Sequence, residues 1–173
     1  MHRRIGSGSP LMLVHGYLGG QFMWQFQEPL QDDFELIMPS LAGYGESAHL
    51  EAPSSIPGNV DDIFRLLDHL EIDKVDLLGH SMGGMVVQEM AANRPERINR
   101  LICLGTGSMG VLPNRFEPIE ESRRKILNLG LEHARENIAR TWFLNPDFEA
   151  GLSLCQSEGA KATKQAALAS LEA

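Results

Sequence analysis

The 173-residue chain is poor in cysteine, in aromatic residues and in positive charge, and it has no long apolar run. Two cysteines, Cys103 and Cys155, lie far apart, one in an apolar run and one in a helical-looking segment. That pattern makes no disulfide framework and fits a reduced, cytoplasmic setting. Fifteen Lys and Arg stand against 23 Asp and Glu, a formal charge of -8, so no basic surface for phosphate backbones is expected and nucleic acid is excluded as a partner. The apolar runs at 11–14 and 101–104 fall far short of the roughly 20 residues a bilayer helix needs, so no membrane association is expected. Met1, His2, Arg3 and Arg4 have the charge of a signal n-region, but residues 6–10 (GSGSP) stand where its apolar stretch would begin.

Apolar residues make up 43% of the chain, enough for one compact domain. Four short runs, at 11–14, 34–38, 75–78 and 101–104, are too short for helices and too uniformly apolar for strands with one wet face. They predict parallel strands buried on both sides. Between them, Val60, Ile63, Leu67 and Leu70 recur at helical spacing behind Asp61 and Asp62, and a second helix runs from Met82 to about Asn93. Strands alternating with helices predict an α/β domain with a doubly wound, mostly parallel sheet. From Gly107 onward the alternation stops. Residues 118–129 and 131–144 read as two helices parted by Gly130, Asn145-Pro146-Asp147 as the start of a third, and Gly159 as the boundary of a fourth, Ala-rich one. The expected division is a sheet-bearing region at 1–106 and a helical region at 107–173.

Gly79-His80-Ser81-Met82-Gly83 matches G-x-S-x-G, a pattern that a chain of this length contains by accident roughly one time in twenty. Here it follows the run 75–78 and opens a helix, the strand-turn-helix setting in which such a serine becomes a nucleophile. Glycines two residues either side of Ser81 let strand and helix close together, while Ser81 itself takes a strained turn that pushes its Oγ outward at the helix N-terminus. The alternative is a serine that only caps the helix. Directly after the run 11–14, His15-Gly16-Tyr17 allows a tight turn that aims the Tyr17 N–H at the same point as the Met82 N–H. Two such donors make an oxyanion hole. The alternative there is an ordinary turn with a buried His15.

At this point the chain resembles the α/β-hydrolase family over residues 4–106. Residues 10–16 resemble the strand ending in the family's HG oxyanion motif, 40–47 (SLAGYGES) its G-x-G-x-S loop, and 79–84 (GHSMGG) its nucleophile elbow. Arg94-Pro95-Glu96-Arg97 resembles the end of the following helix, and 107–173 the helical cap of many members. The resemblance implies a serine hydrolase, with Ser81 as nucleophile, acting through an acyl-enzyme on a small apolar ester or lactone, without metal or organic cofactor. Esterases, lactonases, thioesterases, perhydrolases and carbon-carbon hydrolases share the serine, whereas dehalogenases and epoxide hydrolases use Asp. A non-catalytic ligand-binding module of the same fold is the alternative.

In the family the triad acid and histidine follow later strands. The only histidine beyond Ser81 is His133, in a charged helical segment, and no acid stands among Gly105, Thr106, Gly107 and Ser108. The chain therefore looks like the first two thirds of a larger enzyme whose first strand precedes residue 1. An unpaired sheet edge, prone to self-association, is expected at 100–104.

Other patterns carry less. Residues 105–110 match G-x-G-x-x-G, but Val111-Leu112-Pro113-Asn114 breaks any following helix, and Ser122-Arg123-Arg124-Lys125 lacks the companion motifs of penicillin-recognising enzymes. The six histidines show no metal-ligand spacing, His49 and His69 read as solvent-facing, and His80 as shaping the elbow. Met82, Met85 and Met90 read as helix core. Trp24, Trp142 and Phe143 either line an acyl pocket or belong to the core.

Overall fold

The computed structural model describes residues 1–109, 117–144 and 148–173. Its sheet has five strands: β1 (His2–Ile5), β2 (Ser9–Val14), β3 (Phe34–Pro39), β4 (Val75–His80) and β5 (Ile98–Leu104), in the spatial order β1-β3-β2-β4-β5. The four apolar runs become β2 to β5, and their mutual pairings are all parallel. Residues 2–5, to which the sequence assigned no element, form β1, antiparallel to β3. Arg3 and Arg4, on opposite faces of this edge strand, reach Glu28 and Glu35 respectively.

Alternation along the strands sorts their side chains into two layers. Met12, Val14, Ile37, Val75 and Leu77 face the main core, where α1 (Ile56–His69) contributes Val60, Ile63, Phe64 and Leu67 and α2 (Met82–Asn93) contributes Val86, Val87 and Met90. Leu11, Leu13, Leu36 and Met38 face the other way, over Trp24 from the 3-10 helical segment Gln21–Asp32. α1 starts a turn before its apolar repeat because the Ser55 side chain accepts the Gly58 N–H and Pro57 suits the first turn.

β5 corrects the expectation of burial on both sides and agrees with the expected unpaired edge at 100–104. Leu101, Ile102 and Leu104 are 41%, 46% and 50% exposed, because β5 is the edge of the sheet among the described residues.

The region after β5 is helical: α3 (Ile119–Leu129), α4 (Leu131–Thr141), α5 (Glu149–Ala160) and α6 (Lys164–Glu172). Gly130 parts α3 from α4 with φ 86°. Gly159 does not open the fourth helix; it lies within the last turn of α5, and the break falls at 161–163, where the Thr163 side chain accepts the Ala166 N–H and caps α6. Residues 110–114 of the glycine motif and its breaker, and the turn 145–147, lie outside the described residues. Ile126, Ala134, Ile138 and Ala166 join the main core cluster, and α6 docks on the loop after β3 through Thr163 N–H to Gly43 O and Tyr44 Oη to Ala166 O. Among the described residues no helix is long and apolar enough to cross a membrane.

Candidate active site

One residue, Ser81, joins β4 to α2. Its φ of 52° and ψ of -122° are far from the extended backbone of an ordinary N-cap, and its side chain makes no capping hydrogen bond to the helix. Such a conformation costs about 1–3 kcal/mol and persists only where the surroundings over-determine it. They do so here. The Ser81 N–H donates to Leu104 O at 3.0 Å, and Ser81 O accepts from the N–H groups of Gly84 and Met85 and from Thr106 Oγ1, the last at 2.7 Å. The flanking glycines have no room to be anything else: a Cβ at Gly79 would lie 2.3 Å from Gly83 O, and one at Gly83 2.3 Å from Val14 O. Helix and strand close at the turn, and Ser81 is left half-buried at its tip.

The loop leaving β2 lies against this turn. A Cβ at Gly16 would stand 2.9 Å from Ser81 Cβ and 3.0 Å from His80 O, so residue 16 abuts the serine and Tyr17 follows it. Met82 opens α2, where first-turn N–H groups lack intrahelical acceptors and the helix dipole is positive. His15 is buried with both ring nitrogens engaged: Nδ1–H donates to Gly16 O at 2.8 Å and Nε2 accepts the Leu41 N–H at 3.0 Å. Burial pulls its pKa down to about 4, against the opposing effect of the Gly16 hydrogen bond. A neutral His15 thereby ties the loop after β2 to the loop after β3. Leu18, next but one to Gly16, is itself held at φ 55°.

The family model for the alpha/beta hydrolase fold matches residues 9–139. The chain belongs to the alpha/beta hydrolase family. It is 38% identical over 104 residues to the dihydrolipoyllysine-residue acetyltransferase component of an acetoin cleaving system from Pseudomonas putida, covering 60% of this chain and 28% of that protein. To the 2-hydroxymuconate semialdehyde hydrolase of a Pseudomonas species it is 34% identical over 112 residues, 60% of this chain and 38% of the other. The enol-lactonase from Burkholderia xenovorans superposes on 99% of this chain with a TM-score of 0.88 at 22% identity. A thermophilic esterase from Thermogutta terrifontis does so on 99% with a TM-score of 0.83 at 26% identity. This alpha/beta hydrolase chain spans 68% and 65% of those two solved chains, and less than half of the two curated relatives.

The remaining candidates are spread through the fold of this alpha/beta hydrolase. His80 is half-buried beside Ser81, and burial lowers its pKa. Trp24 is not beside the other two aromatic candidates; it packs into the core layer of Leu11, Leu13, Leu36 and Met38. Trp142 packs against the main core, and Phe143 meets Phe148 in a tilted contact at 6.1 Å, as Phe148 meets Phe26 at 5.9 Å. His49, His69 and His133 are exposed. Met82 and Met90 are buried in the core cluster. Sequence reasoning looked for an acid at 105–108 and passed over Thr106, whose hydroxyl braces the elbow. It also passed over Gln88, whose amide donates to Gly84 O and Gly107 O and so holds the strand exit to α2. Neither has a sequence signal, since both work across about 20 residues of chain. Among the described residues no three His, Cys, Asp or Glu side chains are grouped to hold a metal ion.

Proposed function

We propose that Ser81 is the nucleophile of a serine hydrolase that cleaves a small, largely apolar carboxylic ester or lactone. The observation that carries the proposal is the strained φ of Ser81 at the tip of a strand-turn-helix, free of any capping role and abutted by Gly16. Ser81 Oγ attacks the carbonyl carbon while its proton passes to a general base, and the N–H groups of Tyr17 and Met82 hold the oxyanion. The carbon-oxygen bond to the alcohol breaks as that oxygen takes the proton, and water then cleaves the acyl-enzyme. In this reading residues 107–173 form a cap over a pocket that Phe143 and Trp142 help to line, residues 1–106 form the core, and no cofactor takes part.

The base is a histidine outside this arrangement, because His133, the only one beyond Ser81, is exposed on α4. The chain alone is therefore expected to keep only the acceleration left when a triad member is missing, about 10³ to 10⁴-fold over water. That same observation favours the second reading, a module that binds such a ligand without turnover. Incubation with an aryl fluorophosphonate, which loses fluoride to an activated serine, followed by mass spectrometry, tests the proposal. Slow labelling confined to Ser81 and lost in Ser81→Ala supports it, and labelling unaffected by Ser81→Ala refutes it. Turnover of a p-nitrophenyl ester that is fast and abolished by His133→Ala would refute the assignment of the base.

A further inference from the structure

The loop that carries Tyr17 is also held from the helical region. Glu158, in α5, is 1% exposed, which a carboxylate tolerates only when its charge is paired and hydrogen-bonded. Its Oε2 accepts the backbone N–H of Phe22 at 3.2 Å, and its Oε1 meets Lys161 Nζ at 2.7 Å. Lys161 Nζ also lies 3.4 Å from Glu46 Oε1 and 4.7 Å from the centroid of the Phe22 ring. One cation thus gathers groups from α5, from the loop after β2 and from the loop after β3.

Gly20 supplies an independent sign. Its φ of -172° and ψ of -178° are extended values open to any residue, yet a Cβ there would lie 2.3 Å from Glu158 Oε2. The position is small because of the carboxylate and not because of its backbone. The next residue of α5, Gly159, comes up to the strained Leu18, with a Cβ at 159 placed 3.4 Å from Leu18 O.

We propose that Glu158 is a positioning residue for the oxyanion loop: seated on the Phe22 N–H against Gly20, it fixes residues 17–22 so that the Tyr17 N–H is presented beside Ser81. The proposal rests on the roles assigned above to Tyr17 and Ser81. Glu158 acts through the backbone of the loop and touches no reacting atom. Its hydrogen-bond half needs only an acceptor oxygen, whereas its pairing with Lys161 needs the charge, so glutamine should keep the first and lose the second.

The test uses the 173-residue chain with two readouts, amide hydrogen exchange by mass spectrometry and saturation kinetics of labelling by an aryl fluorophosphonate. Glu158→Ala should speed exchange of the amides at 17–23 at least 10-fold and leave those of β4 within about twofold. The limiting labelling rate should fall at least 10-fold with half-saturation within about twofold, and Glu158→Gln should recover most of both. Gly20→Ala, which displaces the carboxylate without removing it, should reproduce Glu158→Ala, and the double variant should be no worse than either single one. Unchanged exchange at 17–23 in Glu158→Ala, no recovery in Glu158→Gln, or additive effects in the double variant would overturn the proposal. If Glu158→Ala unfolds the chain, Gly20→Ala decides by the same criteria. The exchange readout needs no reaction, so a failure of the serine reading, seen as labelling indifferent to Ser81→Ala, is distinguishable from a failure of this one.

Discussion

Replacing Gly83 by alanine sets two effects of opposite sign against each other. Gly83 is in the first turn of α2, where alanine gains about 1 kcal/mol of helix propensity over glycine. Against this, the added Cβ would lie 2.3 Å from Val14 O, 2.4 Å from His15 O and 2.7 Å from Val14 C. All three are backbone atoms. Val14 is paired with Gly79 of β4 and its side chain is fully buried, so its backbone cannot swing aside as a flexible side chain would. Overpacking of this kind costs typically 1–3 kcal/mol, and immobile partners place it at the upper end. The expected net loss is about 2 kcal/mol, which lowers the melting midpoint of a chain of this size by roughly 4–8 °C. Gly159→Ala is the control, because there the nearest atom is Leu18 O at 3.4 Å, ordinary contact, inside a helix. It should gain up to about 1 kcal/mol and raise the midpoint. Thermal melts followed by far-ultraviolet circular dichroism read both. A Gly83→Ala midpoint at or above that of the parent chain would refute the close approach of α2 to β2.

Three further outcomes follow from the same geometry. Thr106→Val removes the hydroxyl donor to Ser81 O and should cost about 0.5–1 kcal/mol in urea titrations, at the low end because Ser81 O keeps the Gly84 and Met85 donors; no loss would show that Thr106 does not brace the turn. His15 has its pKa depressed to about 4 in the fold, so the unfolded chain binds the proton more readily and stability falls as pH drops from 6.5 toward 4. By pH 4.5 the loss attributable to His15 is about 2–3 kcal/mol, and a His15→Gln chain with the same pH slope would disprove the assignment. The edge strand β5, with exposed Leu101, Ile102 and Leu104, should make the isolated chain self-associate in sedimentation runs, Ile102→Lys reducing it; a monodisperse parent chain at high concentration would count against that.

What the sequence made legible was local. The four parallel strands were visible because each is a short, mainly apolar run, and the elbow because its requirements fall on five consecutive residues. Apolarity alone did not show which strand lies at the edge, since residues 101–104 are uniformly apolar and yet exposed; that edge was expected only from the resemblance to a longer family fold. β1 was hidden by its composition, since His2, Arg3 and Arg4 make a strand only when Glu28 and Glu35 arrive opposite them. The break before α6 was misplaced because Gly159 looks like a helix end. It lies inside the last turn of α5, and Thr163 does the capping of α6. Thr106, Gln88 and Glu158 act on residues 19 to 136 positions away, and no spacing rule reaches them.

The two halves of the candidate site are restrained by different parts of the molecule. The Ser81 backbone is hydrogen-bonded to α2, to the end of β5 and to Thr106 just beyond it. The loop of Gly16 and Tyr17 is held instead by His15 against Leu41 and by Glu158 against Phe22, that is, from the loop after β3 and from the helical region. Strain stands on both sides of this seam, at Ser81 and at Leu18, and strained residues relax when their restraints are lost. Loosening the helical region should therefore disorganise the loop of Gly16 and Tyr17 while the elbow keeps its shape, so that Ser81 stays placed but loses one of the two donors proposed for an oxyanion. Under that division, changes in α5 should slow the proposed chemical step more than they shift Ser81, whereas loss of the Thr106 hydroxyl should loosen Ser81 itself.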